Sequence, residues 1–331
     1  MSWTFAGMMS KAGRDVDLYT IAAAYSPRRA LELAHAEVPA NAVLCGKLIA
    51  ALWLFTGQVV YARAEAVPFA GIPIGGVDGL PFLQLALLAQ LSAILTILCS
   101  PFFRVGCALL ALIILSLSAL DQALFSNNRV FCAAVLLMLA LDPRGRLARA
   151  QVALVYACAA TDKLLTVAWR SGQFVRTFSA ELCRVGELWS PGWSPGGALP
   201  LTCALARVLS DSASLALLAS GLVIATELII ALGYASRARF TAALAPLFHA
   251  LLLTLTGGTF GVFFYAGTAC SLLVLDLERQ AAPFDRALPY AVIAALLAGP
   301  WLRPWFGLVF SALVLGLALR RAPRARAQVT G

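Results

Sequence analysis

Charge is scarce in this sequence: 12% of its 331 residues are Asp, Glu, Lys or Arg, and only two are histidine. A soluble domain carries about 25% charged residues, so the chain cannot present an ordinary water-facing surface. The eight cysteines include no CxxC pair and no Cys/His ligand spacing, and neither a redox motif nor a metal site is supported. The first twenty residues lack a continuous apolar stretch followed by a small-residue cleavage site, so no removable signal peptide is expected. The glycines of "LTGGTFG" (255–261) lack phosphate-loop spacing and read as a turn. No internal repeat of interrupted apolar segments argues for a transporter, which ranks third among the functional readings.

Apolar residues are abundant. They make up 61% of the chain, against about 45–50% in a soluble domain. Runs such as "NAVLCGKLIAALWLFTGQVV" (41–60) and "SASLALLASGLVIATELIIALGY" (212–234) approach the roughly 20 residues that cross a hydrocarbon core. The expected fold is therefore all-α, a polytopic transmembrane helical bundle of about ten spans: 41–60, 82–99, 104–125, 129–142, 149–167, 212–234, 239–256, 258–276, 287–299 and 304–319. The fourth and ninth are short. Ahead of them, residues 1–40 form a cytoplasmic segment in which "LYTIAAAYSPRRALELAHAEV" (18–38) has the pattern of an amphipathic interfacial helix. The transmembrane domain runs over 41–320, and 321–331 is a basic cytoplasmic tail.

The net charge of +9 does not indicate nucleic acid, because the basic residues gather at span ends rather than in one patch. The partner they imply is the lipid bilayer. Sixteen Lys and Arg fall in loops of one side and seven in loops of the other, so both termini are expected in the cytoplasm. The long segment 168–211 then faces outward as a loop. Cys183 and Cys203 share that segment and are candidates for a disulfide in an oxidising compartment.

Polar residues inside the spans are the candidate site. In "YACAATDKLLTVAWRSGQF" (156–174), Lys163 lies 14 residues into the fifth span, roughly 21 Å from the cytoplasmic edge. It either snorkels to the outer interface or faces an outward-opening pocket as a base. Asp162 sits about 100° around the helix and need not pair with it. Asn127, Asn128 and Arg129 fall at the same membrane face, as turn residues or as part of the same site. Glu227 and His249 lie at similar depth on consecutive spans and are expected to hydrogen-bond, as a structural clamp or a proton relay.

"QVALVYACAATDKLLTVAWRSGQF" resembles a signature of the vitamin K-dependent gamma-carboxylase-like membrane domain, also called the horizontally transferred transmembrane (HTTM) domain. Tyr156, Lys163, Leu164, Trp169 and Gly172 carry the resemblance, with "SNNRVF", Glu227 in "ATELIIALGY" and His249 in "LFHALL" following the same order across about residues 40–276. The resemblance implies a bacterial inner-membrane protein with a quinone or hydroquinone cofactor, in which Lys163 is the base that deprotonates the hydroquinone. It implies roles for Asn128, and for Arg129 where the carboxylase has a histidine; a guanidinium stabilises an anion but exchanges no proton near neutral pH. Asn127, Asp162, Tyr156 and Trp169 would line the pocket. The chain ends soon after its membrane region, without the large extramembrane domain of the eukaryotic enzyme, so carboxylation of protein glutamate is not expected. The resemblance leaves two classes open: a quinol-dependent, oxidoreductase- or carboxylase-like membrane enzyme, or a non-catalytic membrane protein for maturation or export of a small secreted peptide. It leaves the oligomeric state unspecified.

Overall fold

A computed structural model describes residues 38–55, 80–99, 101–120, 127–186, 200–256, 261–275 and 306–319, and among them the chain is all-helical, without a strand. In chain order the helices are α1 (Ala40–Phe55), α2 (Leu80–Cys99), α3 (Phe103–Leu120), α4 (Asn127–Leu141), α5 (Arg146–Leu165), α6 (Val167–Arg170), α7 (Gln173–Gly186) and α8 (Pro200–Asp211). They continue with α9 (Ala213–Ser236), α10 (Thr241–Thr256), α11 (Gly261–Cys270), a 3-10 turn (Ser271–Val274) and α12 (Phe306–Leu319). Among the described residues one helix, α9, is long and apolar enough to cross a membrane, and further apolar helices of 10–17 residues accompany it. The expected ninth span, the amphipathic segment 18–38 except its last residue, and the basic tail lie outside the described residues.

The other nine expected spans each coincide with a helix to within several residues at either end. The segment 168–211 differs: it was expected as a loop, and α7 and α8 lie within it, packed on each other. The reason is periodicity. In α7 the aromatics Phe174 and Phe178 are one turn apart while Arg176, Thr177 and Glu181 interrupt any apolar run, so a search for continuous apolar stretches passes over an amphipathic helix.

The core forms where α1 to α5, α9, α10, α11 and the 3-10 turn meet. Leu44, Ile49, Ile97, Leu110, Leu136 and Ile230 are fully buried there. Between them lie small residues at zero exposure, including Ala42, Ala111, Ala133, Ala242 and Ala269, which let helix backbones approach closely. Cys45, Cys107, Cys132 and Cys270 are free and buried and serve as small core residues. The outside is apolar as well: Leu85, Leu154, Leu218 and Leu232 are each about three-fifths exposed or more. Polar Gln90, Glu227, His249 and Thr268 are buried instead.

The ends of α5 and α9 show why these helices begin and stop where they do. Asp142 closes the α4–α5 turn, its carboxylate accepting from the backbone N–H of Arg146 at 2.7 Å, Leu147 at 3.1 Å and Arg144 at 3.3 Å. Gly145, at φ 66, makes the left-handed step that a side chain would resist. The Ser212 hydroxyl caps α9 by accepting from Leu215 N–H. Burial pushes the Asp142 carboxyl up, but the N–H groups of Leu147 and Arg146 and the Arg146 guanidinium outweigh it and hold it below the ordinary carboxylate range.

Two outcomes follow from these turns. Gly172 sits at φ 72 with the Leu217 backbone 2.5 Å from where its Cβ would be. Gly172→Ala should therefore lose at least about 1–2 kcal/mol of stability from the backbone alone. Gly221→Ala, with nothing within 4 Å, should be neutral or gain up to about 1 kcal/mol; thermal unfolding in detergent compares them, and equal losses would contradict the packing. Because the folded Asp142 is the stronger acid, its contribution is complete above about pH 3.9, the ordinary value, and is lost as pH falls through its lower folded value. Acid titration of the wild type against Asp142→Asn should show that loss only in the wild type.

Candidate functional site: a buried ion pair above an aromatic and histidine layer

Helices α5 and α9 run antiparallel and meet in a regular ladder. Tyr156 stacks on Tyr234 with ring centroids 6.0 Å apart. Two turns farther along, Lys163 faces Glu227. Beyond that, Ser220 donates to the Trp169 carbonyl, and Gly172 rests on the backbone of Ala216 and Leu217. Each rung keeps the same offset, so a residue's height on α5 predicts its partner on α9.

Lys163 is fully engaged. Its ammonium donates to Glu227 Oε2 at 2.8 Å, to Oε1 at 2.9 Å and to the Ala159 carbonyl at 3.4 Å, which accounts for its three protons. The Trp169 ring covers it at 5.1 Å, a cation–π contact. The two side chains are only 16% and 9% exposed. The Trp169 position depends on a break in the helix: Thr166 is extended at φ −83, ψ 119, and its hydroxyl and N–H both donate back to the Asp162 carbonyl. The chain then turns through α6 and folds Trp169 back over Lys163. From there Phe174 stacks on Trp169 at 4.4 Å and on Phe178 at 5.8 Å.

A second layer lies two turns down α5. The Tyr156 hydroxyl shares a hydrogen bond with His249 Nε2, and His249 Nδ1 shares one with Thr268 Oγ1 at 2.9 Å. Tyr234 donates to the Gly267 carbonyl at 3.3 Å. His249, Thr268 and Tyr234 are at zero exposure. Gly267 makes the layer fit, because a Cβ there would lie 2.6 Å from His249 Cε1 and 3.0 Å from the Tyr156 hydroxyl.

The structure thus brings together Lys163, Glu227 and Trp169 in one layer and Tyr156 and His249 in the next. The expected Glu227–His249 bond is replaced. The two residues sit in successive layers: Glu227 is level with Lys163 and meets its ammonium, while His249 is level with Tyr156, two turns down α5. Asp162 is exposed and outside the cluster. Asn127, Asn128 and Arg129 begin α4, and none of them bonds to Lys163 or Glu227. The side chains of Cys183 and Cys203 lie outside the described residues, and among the described residues no group of three His, Cys, Asp or Glu could hold a metal. Sequence reading passed over Thr268, Gly267, Ser220 and Tyr234. One signal was present: Tyr234 follows Glu227 by seven residues as Tyr156 precedes Lys163 by seven.

Compared with protein-family models, curated proteins and solved structures, the chain finds no match.

Breaking a buried pair strands the partner's charge and costs about 3–5 kcal/mol, whereas replacing both ions with apolar groups is often nearly neutral. Glu227→Leu and Lys163→Met should each unfold at markedly lower temperature, and the double variant should recover most of the loss. A double variant as damaged as the sum of the singles would show that the two groups are not coupled.

Proposed function

We propose that the chain is an integral membrane enzyme, a bundle of about ten spans in a bacterial-type inner membrane with both termini cytoplasmic and 168–211 outside, that moves a proton on a lipophilic hydroxyl compound of the hydroquinone class. The membrane reading is supported by the exposed leucines of α2, α5 and α9, which are costly in water and favourable against lipid, and by the sixteen-to-seven basic asymmetry.

The observation that carries the chemistry is the Lys163–Glu227 pair, desolvated, doubly bonded and roofed by Trp169. A pair of this kind adds little stability compared with apolar packing, and its use is as a proton donor and acceptor held at fixed geometry. The Glu227 carboxylate takes a proton from a substrate hydroxyl, and the Lys163 ammonium pairs with the negative charge left behind. The reverse assignment, in which Glu227 first takes the ammonium proton and the amine then accepts from the hydroxyl, ends in the same state. Either way the site stays neutral overall, so no charge is created in the apolar interior.

The residues fit a planar aromatic ligand. The Trp169–Phe174–Phe178 stack extends from the ammonium to Phe174, which is 40% exposed, and a quinol ring is stacked by such faces. When bound, a hydroquinone supplies the acidic hydroxyl. The family resemblance carried by Tyr156, Lys163, Trp169 and Gly172 points to the same ligand.

Two measurements test the reading. Organic extraction of the purified protein, followed by mass spectrometry, should recover an isoprenoid quinone from the wild type and less from Phe174→Ala. Lys163→Arg keeps the charge but cannot release a proton near neutral pH, so it should fold, reach the membrane and fail to complement a deletion strain. Full complementation by Lys163→Arg with no quinone recovered would leave a non-catalytic role in peptide maturation or export as the better account.

A further inference from the structure

At the opposite end of the α5–α9 ladder from Trp169 lies a cluster of arginines. The register places it. Continuing two turns from the Tyr156–Tyr234 rung brings Arg149 on α5 beside the α9–α10 turn, which carries Arg237 and Arg239. Arg237 is near enough to Arg149 for the two charges to repel. Arg146 and Arg144 flank them from the α4–α5 turn, which packs through Gly145 against Ala42 and Leu273.

Acidic partners are short here. Asp142 is the carboxylate of this end among the described residues, and it is occupied by three backbone N–H groups and by Arg146 Nε at 3.4 Å. It acts on Arg149 only at longer range. No ion pair joins Arg149, Arg237 or Arg239 to a carboxylate among the described residues. Arg149 is also half-buried, so water screens it less than a fully exposed charge.

Arg237 carries a second, independent oddity. It occupies the left-handed position that ends α9, at φ 57, and is the only non-glycine with positive φ among the described residues. Glycine is the residue that fits this position. An arginine here therefore strains the backbone and adds a like charge next to Arg149. Both costs are offset if an anion sits between the two guanidinium groups, whose planar forks match phosphate oxygens.

We propose that Arg149 and Arg237, flanked by Arg239 and Arg146, form a binding site for the phosphate of an anionic phospholipid in the cytoplasmic leaflet. Inorganic phosphate offers the same oxygens, but this cluster lies at the end of helices whose outer faces are leucine, at Leu154 and Leu232. A headgroup on the arginines would let acyl chains lie along those leucines. The inference rests on the membrane reading above and is independent of the chemistry at Lys163.

The experiment uses the full chain in nanodiscs of phosphatidylcholine, with or without phosphatidylglycerol. Native mass spectrometry should show phosphatidylglycerol retained in preference to phosphatidylcholine, and the anionic discs should raise Tm. Arg149→Gln/Arg237→Gln should lower that preference on the order of tenfold or more, since each basic residue at an anionic surface contributes about a fivefold effect. Arg237→Gly keeps the proposal testable if the double variant folds poorly. It removes backbone strain, so in neutral discs its Tm should equal or exceed the wild type's, while its preference for phosphatidylglycerol falls about fivefold. Arg170→Gln/Arg207→Gln, the same charge change on α6 and α8, should leave the preference intact. Unchanged preference in the arginine variants, an equal fall in the Arg170/Arg207 control, or equal stabilisation by inorganic phosphate in neutral discs would each overturn the site. Carbonate extraction tests the parent reading separately: release into the soluble fraction sinks the membrane assignment, while a retained protein without lipid preference sinks only this proposal.

Discussion

An ammonium and a carboxylate inside an apolar helix bundle must find each other, and the arrangement around α5 and α9 depends on that requirement. Each charge alone in such surroundings would carry a desolvation cost of several kcal/mol. Together Lys163 and Glu227 neutralise one another through two short hydrogen bonds, with the Ala159 carbonyl taking the last proton. This contact sets the register of the two helices. Once it is made, Tyr156 meets Tyr234 on one side, and Trp169 and Gly172 meet Ser220 and Leu217 on the other.

The same register separates two chemical environments along one pair of helices. On the Trp169 side the helix breaks at Thr166, the chain turns, and an aromatic stack runs from the ion pair to the surface through Phe174. On the Tyr156 side the polar groups are closed in: the hydroxyl, the imidazole and the Thr268 hydroxyl satisfy one another with no exposure. Under the proposed chemistry, such a pair needs an open side for its ligand and a rigid closed side to hold its geometry. Gly267 serves the closed side by leaving room for His249, and Gly172 serves the open side by letting the turn lie directly on α9. Farther along, the arginine cluster finishes the ladder with charge of one sign, matched under the proposed topology to an anionic leaflet.

What could be read from residues alone was whatever depends on composition and short-range periodicity. Continuous apolar runs located α1 to α5 and α9 to α12 because a helix that is apolar on every side needs no particular neighbour to be recognised. The same runs showed that Lys163, Glu227 and His249 were out of place in apolar surroundings, and small buried residues such as Cys45 and Ala42 belonged to them. Amphipathic α7 and α8, which carry Cys183 and Cys203, escaped, since an apolar face that is visible only as a spacing reads as a loop.

Which polar residue meets which was a matter for the tertiary structure. Depth along a helix can be counted from a sequence, but rotation about the helix axis relative to a neighbour cannot, and partner choice depends on both. The count put Glu227 and His249 at similar depth, yet the packing sets them in successive layers, Glu227 against Lys163 and His249 against Tyr156 and Thr268. The break at Thr166 that brings Trp169 over the ammonium likewise arises where the chain docks on Ser220 and Leu217. The sequence by itself determined that this would be an apolar helical chain with a few internal charges. The packing of α5 against α9 decided that two of those charges would become one site, because only the facing helix can supply the opposite charge at the height where the first one is buried.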